Sequence, residues 1–159
     1  MKKIYNNNFK EYGVHINNLS FTIEEAIDFS VKGKIEEWIH LFLNSVGDNK
    51  ALSEGLNLPK RFWLGPILIS LDNLKRCTGP EPDMEYVDSD EAWEKHIIKF
   101  QQLINDGWDM PPLIAENTKG KLIIRDGNHR LEAMRREKFD KCWVVIWDND
   151  NQDNLKPFI

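Results

Sequence analysis

The sequence predicts an α/β (α+β) fold behind an N-terminal helical layer, and three observations indicate it. Residues 22–58 repeat apolar side chains at helical spacing, short β-rich runs follow at 67–71 and 112–125, and a last apolar run occupies 141–147. From residue 67 the predicted order is strand, loop, helix, hairpin, helix, strand, which is typical of an α/β domain. We therefore divide the 159 residues into a helical extension (1–60), a core domain (61–148) and a C-terminal tail (149–159).

The extension is predicted to hold three helices. Thr22 followed by Glu25 has the spacing of a capping box and predicts the start of the first helix. Apolar residues at helical spacing place one side of this helix in the core, at Ile23, Ala26, Ile27 and Val31. A second helix is predicted after Gly33 and up to Gly47, with an apolar face at Ile35, Trp38, Ile39, Phe42, Leu43 and Val46. A short third helix is expected within 49–58, and His40 is expected to be a surface or cap histidine.

The core domain alternates strands with breaks. The run 67–71 predicts a strand, and the loop after it is rich in Gly, Pro and acids; the acids after Pro80 are Glu81, Asp83, Glu85, Asp88 and Asp90. Loops of this length in compact domains are often functional. Asp88 or Ser89 is expected to cap a helix with an apolar side at Trp93, Ile97, Phe100 and Ile104. PLIAE and KLIIR, separated by NTKG, predict a β-hairpin.

Composition limits the class of protein. The net charge of −5 argues against nonspecific nucleic-acid binding, although residues 119–141 carry +4 and the remainder about −9. Two distant cysteines without metal-ligand spacing are typical of a reducing cytoplasm, and no apolar run approaches the ~20 residues that span a bilayer. We expect a soluble, cytoplasmic protein without a membrane partner and with loose ends at 1–8 and 148–154. The oligomeric state is not predicted.

The stretch RDGNHRLEAMRRE, from Arg125 to Glu137, is the main candidate for chemistry. Asp126-Gly127 could form a hairpin turn, but the residues that follow favour a helix, so we predict a strand-to-helix turn at Gly127. A helix N-terminus attracts anions, whereas His129 and Arg130 in the first turn oppose the helix dipole. These cations are expected if a phosphate or carboxylate lies between them and the helix end. The alternative is a structural Asp-Arg pair that closes the turn.

In this setting the motif resembles the ParB/sulfiredoxin superfamily. The G-E-R-R-x-x-A motif of ParB-type proteins is matched at Gly127, Arg130 and Ala133, and the G-G-C-H-R of sulfiredoxins at Gly127, His129 and Arg130. The D-G-H-H-R form of the free-serine kinases of this superfamily is closer still, because only Asn128 departs from it. The resemblance covers roughly residues 64–147 and implies a small mixed sheet with flanking helices. The N-terminal helices resemble those of uncharacterised bacterial ParB-like proteins.

Departures from these families narrow the expected activity. Asn128 stands where a sulfiredoxin has its nucleophilic cysteine, and Cys77 and Cys142 lie elsewhere in the sequence, so the sulfiredoxin reaction is not expected. A full partition protein continues into DNA-binding and dimerisation domains. The sequence ends soon after the resemblance does and is acidic, so centromere binding is not expected either.

The resemblance implies a set of site residues and cofactors. Phosphate binding is implied for Gly127, Asn128, His129 and Arg130, with a nucleotide (ATP, ADP or CTP) and Mg²⁺ as cofactors. Asp126 is expected to help hold Mg²⁺ or to accept a proton, and Glu81 or Glu85 to act as general base towards a small hydroxyl-bearing substrate, since phosphoryl transfer needs positioning and charge neutralisation. The catalytic candidates are therefore Asp126, His129, Glu81 and Glu85, with a solvated acidic loop as the alternative for the two glutamates.

Three functions follow as hypotheses. The first is a nucleotide-dependent phosphotransferase or NTPase acting on a small molecule. The second is a non-catalytic module that binds a nucleotide or another phosphorylated ligand and signals through the N-terminal helices. The third, a DNA-associated ParB-like nuclease, is disfavoured by the net negative charge.

Overall fold

The N-terminal part of the chain forms a small two-stranded sheet and three helices. The computed structural model describes the backbone of residues 5–7 and 16–159, and side chains from Leu19 onward. Strands β1 (Tyr5–Asn7) and β2 (Ile16–Leu19) pair antiparallel. Helices α1 (Ile23–Val31), α2 (Ile35–Leu43) and α3 (Lys50–Leu56) follow. The predicted looseness of residues 1–8 falls mostly outside the described residues.

The predicted capping box starts α1. The Thr22 hydroxyl accepts a hydrogen bond from the Glu25 amide at 3.2 Å, and the Glu25 carboxylate accepts from the amides of Ser20 and Phe21. The predicted apolar side is only partly correct, because Ala26 is buried whereas Val31 is 82% exposed. The chain turns at Gly33 directly after α1, so the last residue of the helix does not reach the core.

Helix α2 is buried on nearly all sides, which makes the expectation for His40 wrong. It packs against α1, α3 and the central sheet, and the predicted apolar face is buried from Ile35 to Leu43. His40 is 3% exposed, and its Nδ1 lies 2.7 Å from the Ser53 hydroxyl of α3. The helix ends at Leu43 instead of Gly47, since residues 44–47 form turns.

A five-stranded mixed sheet lies at the centre of the molecule. Its strands are β3 (Phe62–Ser70), β4 (Leu74–Arg76), β7 (Leu113–Thr118), β8 (Lys121–Asp126) and β9 (Lys141–Asp148), in the order β3-β9-β7-β8-β4. β9 runs antiparallel to β3 and parallel to β7, and β8 runs antiparallel to β7 and parallel to β4. The predicted hairpin is β7-β8, and the α/β (α+β) fold class is confirmed.

Strand β3 is longer than predicted because Gly65 and Pro66 lie inside it. The register with β9 shifts between Leu64 and Ile67, which accommodates the two residues as an irregularity of the strand. β3 is an edge strand, where proline is tolerated because one side of the strand needs no hydrogen-bond donors.

The segment between β4 and the next helix is held by a second small sheet. Strands β5 (Thr78–Gly79) and β6 (Tyr86–Val87) pair in parallel across the acidic loop. Ser89 caps α4 (Asp90–Asn105) by accepting from the Ala92 amide, as predicted. After the hairpin, α5 (Asn128–Arg136) leads to β9.

The elements stack in layers. The N-terminal helices pack on one face of the sheet through a cluster that includes Ile114, Val145 and Trp147. Leu131 and Met134 of α5 pack on the other face. α4 covers α5, with Trp93 and Ile97 against Ala133. No helix within the described ranges 5–7 and 16–159 has the length and apolar character needed to cross a membrane.

The C-terminal tail is ordered, so the expectation of a loose end at 148–154 is wrong. Residues Gln152–Phe158 form a 3-10 helix with Leu155 fully buried. The Asp148 carboxylate accepts hydrogen bonds from the amides of Asp150 and Asn151 and from the side chain of Asn154. These bonds hold the pKa of Asp148 below its usual range, although burial opposes the shift.

Candidate functional site

Gly127 forms the corner between β8 and α5. Its φ of 102° and ψ of 23° are in the left-handed region, and it is the N-cap residue of the helix. A Cβ atom here would lie 2.5 Å from Leu113 Cδ2 and 2.8 Å from Arg130 Nη2. The predicted strand-to-helix turn is confirmed, and only glycine combines this φ with so little space.

The first turn of α5 presents backbone N–H groups at this corner. The first i→i−4 hydrogen bond of α5 runs from the Leu131 amide to the Gly127 carbonyl at 2.9 Å. No side chain in the described part of the chain caps the helix. The amides of Asn128, His129 and Arg130 therefore provide the partial positive charge that the sequence predicts for this end.

Arg130 is buried and its guanidinium is bound by protein groups. It is 5% exposed, and Nη2 donates to Asp126 Oδ2 at 3.1 Å while Nη1 donates to the Pro111 carbonyl at 2.7 Å. Its guanidinium carbon lies 5.7 Å from the ring centroid of Phe42. Burial lowers the pKa of Arg130, and the Asp126 carboxylate opposes that shift. The structural Asp-Arg pair, one of the two interpretations of the motif, is thus present.

Asp126 accepts a hydrogen bond on each carboxylate oxygen. Arg130 binds Oδ2, and the side-chain amide of Asn49 donates to Oδ1 at 3.0 Å. Asn49 is the N-cap residue of α3, so this bond ties the N-terminal layer to the motif. These two bonds fix the position of the carboxylate, and its role as Mg²⁺ ligand or proton acceptor stays a prediction.

Asn128 joins the motif to the loop after β4. Its side-chain oxygen accepts from the Cys77 amide at 2.9 Å, and its side-chain nitrogen donates to the Ile124 carbonyl at 3.1 Å. The Cys77 sulfur lies 3.6 Å from that nitrogen, although the two residues are far apart in sequence. The Cys77 thiol is buried and donates to the Ile124 carbonyl, and burial raises the pKa of Cys142 to about 12. Both thiols are buried, so neither has the exposure of a reactive cysteine.

His129 is half-buried and contacts polar and aromatic groups. Its Nε2 lies 3.4 Å from Asp88 Oδ2, and its ring centroid lies 4.7 Å from that of Trp93 and 4.8 Å from that of His96. Burial lowers the pKa of His129, and the contact with Asp88 opposes the shift. The imidazole is therefore mainly neutral at physiological pH.

The acidic loop does approach the motif, but the acid that reaches it is Asp88. Glu81 forms a two-pronged ion pair with Arg76, which is the main cause of the lowered pKa of Glu81. Glu85 pairs with Arg125 at 2.5 Å. Both proposed bases are thus partners of arginines, and their catalytic role stays a prediction. Asp88 was one of five acids in the loop, and nothing in the sequence distinguished it.

A cavity of about 580 Å³ lies beside the N-terminal end of α5. It is lined by residues of the N-terminal layer, the end of α4 and the motif: Phe21, Phe42, Lys99, Phe100, Asp106, Trp108, Asp109, Asp126, Gly127, His129 and Arg130. The rings of Phe100 and Trp108 stack at 5.6 Å with an interplanar angle of 15°. The sequence analysis did not identify Lys99, Trp108, Asp106 or Asp109 as site residues, because it interpreted GWDMPP only as a helix break. The charged residues and the tryptophan around that break were the signal that could have indicated them.

Fold and corner together define a class: a mixed-sheet α+β protein in which a hairpin strand turns at glycine into a helix whose N-terminus faces a cavity. No family model matches the chain, and no curated protein matches it.

Solved structures similar to the chain include members of both groups named from the motif. One is a pNOB8-like ParB N domain, with 17% identity, 62% of this chain and 34% of that chain covered, and a TM-score of 0.39. A conserved hypothetical protein from Pyrococcus furiosus has 15% identity, 60% and 37% coverage and a TM-score of 0.42. A sulfiredoxin from Arabidopsis thaliana has 18% identity, 51% and 84% coverage and a TM-score of 0.39. The matched part spans about a third of the length of the first two. These likenesses carry no information on ligand or activity.

Proposed function

We propose that this protein binds a nucleotide, with the phosphates at the N-terminus of α5 and the remainder in the adjoining cavity. The observation that carries the proposal is that an N-terminus without a side-chain cap opens into a cavity large enough for a ligand. Small-molecule sites in proteins have volumes of about 300–1,000 Å³, and the 580 Å³ of this cavity lies within that range.

The phosphate end relies on the backbone and on positive charge. The amides of Asn128 and His129 supply N–H donors at the positive end of the helix dipole. Arg130, paired with Asp126, acts through its charge and by fixing the corner instead of by a direct two-pronged grip. Lys99 is exposed at the same cavity and can meet a phosphate as a point charge.

The base end relies on aromatic surface. Phe100 and Trp108 offer a stacked pair of rings at the cavity wall, and stacking on an aromatic ring contributes about 1–3 kcal/mol per base in single-stranded nucleic-acid complexes. Asp106 and Asp109 line the same cavity and, with Asp126, are candidates to bind Mg²⁺ together with phosphate oxygens.

Phosphotransfer to a small hydroxyl-bearing substrate is the activity we propose for such a complex. His129, mainly neutral and oriented by Asp88, is the best-placed general base, with Glu81 and Glu85 as the remaining candidates. A non-catalytic binding module is the second candidate. It is favoured by the ion pairs of Glu81 with Arg76 and Glu85 with Arg125, which engage the carboxylates that a base would need.

Thermal unfolding with ATP, ADP, CTP or inorganic phosphate, each with and without Mg²⁺, tests the proposal. A nucleotide present at about one hundred times its Kd should stabilise the protein by roughly 2.7 kcal/mol, seen as a rise in Tm. Product analysis with the bound nucleotide then separates turnover from binding alone. If no nucleotide at millimolar concentration raises the Tm, the proposal is wrong.

Variants of cavity residues outside the buried core, one exposed and one half-buried, locate the ligand without unfolding the protein. Lys99→Ala should weaken nucleotide binding, whereas Lys95→Ala, one turn earlier on α4 and absent from the cavity lining, should leave it unchanged. Trp108→Ala should weaken binding of nucleotides more than that of inorganic phosphate. Equal effects of the two lysine variants would place the ligand elsewhere.

A further inference from the structure

Asp88, His96 and His129 bring three metal-binding groups together from two helices and a loop. One ligand atom from each residue can be chosen so that all three lie within 4.8 Å of one another. Asp88 directly precedes the α4 N-cap, His96 lies two turns into α4, and His129 lies in the first turn of α5. The three residues do not have the close spacing of a metal-binding sequence motif, and the packing of α4 on α5 brings them together.

We infer that Asp88, His96 and His129 form a binding site for a divalent transition-metal ion of the Zn²⁺ type. Two imidazoles and one carboxylate are a ligand set that Zn²⁺ and Fe²⁺ sites use with further positions open to water or substrate. Imidazole ligands distinguish this site from one for Mg²⁺, which prefers oxygen ligands.

The distances fit this ion after a small adjustment. Ligand atoms around a tetrahedral Zn²⁺ at about 2.0–2.1 Å are roughly 3.3 Å apart. The separation of 3.4 Å between His129 Nε2 and Asp88 Oδ2 already has this value. His96 is exposed, so its side chain has room to move towards the other two.

Hydrogen bonds to neighbouring groups orient His96 and Asp88 in a way that suits ion binding. His96 Nδ1 lies 2.8 Å from the Ala92 carbonyl, which can only accept, so Nδ1 is the donor and Nε2 is the nitrogen that can face an ion. Metal-binding histidines commonly donate their second N–H to a carbonyl in this way. The Asp88 amide donates to the Gly79 carbonyl at 2.8 Å, and Asp88 Oδ1 accepts from the Ser89 amide at 3.0 Å, which leaves Oδ2 towards His129.

The residues around the cluster orient His129 and leave the cluster accessible to an ion from solvent. The His129 ring lies against Trp93, and Arg76 covers the Trp93 ring at 4.8 Å. The side chains of His129 and Asp88 are 28% and 27% exposed, so an ion can enter and keep water in its open positions. Because His129 also lines the cavity, an ion here would lie beside the proposed phosphate site. An imidazole bound to the ion through Nε2 cannot act as the general base, so Glu81 and Glu85 would then be the candidates for that role.

Equilibrium dialysis of metal-stripped protein with Zn²⁺, and visible absorption with Co²⁺, test the site without any nucleotide. One equivalent of Zn²⁺ should bind, and Co²⁺ should show the absorption bands of a four- or five-coordinate ion that Zn²⁺ then displaces. His96→Gln and Asp88→Asn should each weaken Zn²⁺ binding by roughly tenfold or more, as expected for loss of a ligand. Asp90→Asn removes the same charge two residues away and should leave the affinity unchanged.

The outcomes separate this inference from the proposed function. Failure to bind one equivalent, or equal Zn²⁺ affinity in wild type, His96→Gln and Asp88→Asn, would overturn the metal site. His96 is exposed, so a folded His96→Gln protein is expected and can be confirmed by circular dichroism. Zn²⁺ binding without nucleotide stabilisation would support the metal site and contradict the nucleotide proposal. Nucleotide stabilisation without Zn²⁺ binding would support the nucleotide proposal and contradict the metal site.

Discussion

Arg130 holds the corner between β8 and α5 through contacts with protein groups. The Arg130 cation lies where the dipole of α5 disfavours it. Its hydrogen bonds to the Asp126 carboxylate and the Pro111 carbonyl offset this unfavourable interaction. A buried ion pair contributes little net stability, yet removing one partner leaves an uncompensated charge in the interior. Arg130 therefore fixes the geometry of the corner first and supplies charge second.

Replacing Arg130 tests this role. Arg130→Met should lower the free energy of unfolding by about 3–5 kcal/mol, because Asp126 remains buried without its partner. Arg136→Met, on the same helix, breaks an exposed pair with Glu94 and should have a much smaller effect. Urea unfolding measures both. A similar decrease in the free energy of unfolding in the two variants would show that the burial of the Arg130 ion pair does not determine its effect on stability.

For individual residues, the sequence predicted which ones form the corner but not which groups their side chains hydrogen-bond. Gly127 could be chosen because glycine permits a tight strand-to-helix turn, and His129 and Arg130 because cations in the first turn oppose the helix dipole. His40 was misplaced because a lone histidine on a helix carries no information about the layers that cover it. Asp88 was not distinguished from its neighbours because its proximity to His129 depends on how α4 and α5 pack.

Helix α5 and the acidic loop behave as one unit because Asn128 connects them. Its side chain bonds to the Cys77 amide on one side and the Ile124 carbonyl on the other. Asn128 thus holds the start of the loop that carries Asp88. The orientation of the Asp88 carboxylate depends on this connection through the β5-β6 pairing.

Loss of Asn128 should release the loop. Asn128→Ala leaves the Cys77 amide without its buried acceptor, at a cost of about 1–3 kcal/mol. Amide hydrogen exchange of residues 77–88 should accelerate more than that of α4. Asn105→Ala removes an exposed hydrogen bond to Glu137 and should leave this exchange pattern unchanged. Unaltered exchange in Asn128→Ala would mean that the β5-β6 pairing alone holds the loop.

Most elements could be predicted because their signals are local. Caps at Thr22 and Ser89, the hairpin turn before Lys121 and the left-handed glycine at the corner each act within a few residues. Strand β3 and the C-terminal 3-10 helix were missed in part because both depend on distant partners. Gly65-Pro66 is tolerated only at a sheet edge, and the tail is held by the buried Asp148 and Leu155.

Across the molecule, the N-terminal layer and the sheet share one core. The predicted boundary at residue 60 separates sequence patterns, but Trp38 and Phe42 belong to the same buried cluster as Ile114 and Val145. Asn49 also reaches Asp126 across this boundary. We therefore expect residues 19–60 and 61–148 to unfold together.

Trp38→Ala tests that coupling. Trp38 is fully buried and stacks on Phe42 at 5.4 Å, so its loss should cost about 3–5 kcal/mol. Urea unfolding followed by circular dichroism and by tryptophan fluorescence should show one shared transition at a lower midpoint. Leu58→Ala, at a residue 86% exposed, should leave the midpoint in place. Two separate transitions would mean that the layer folds by itself.

The order of strands in the sheet has a consequence for how the protein is made. β9 is the last strand along the chain, yet it lies between β3 and β7 and supplies the hydrogen-bond partners of both. During synthesis, β3 and the β7-β8 hairpin therefore leave the ribosome with open edges that have no partner until residues 141–148 emerge. Unpaired edges favour association between chains. We therefore expect a nascent chain stalled before residue 141 to depend on chaperones more than the full-length chain does.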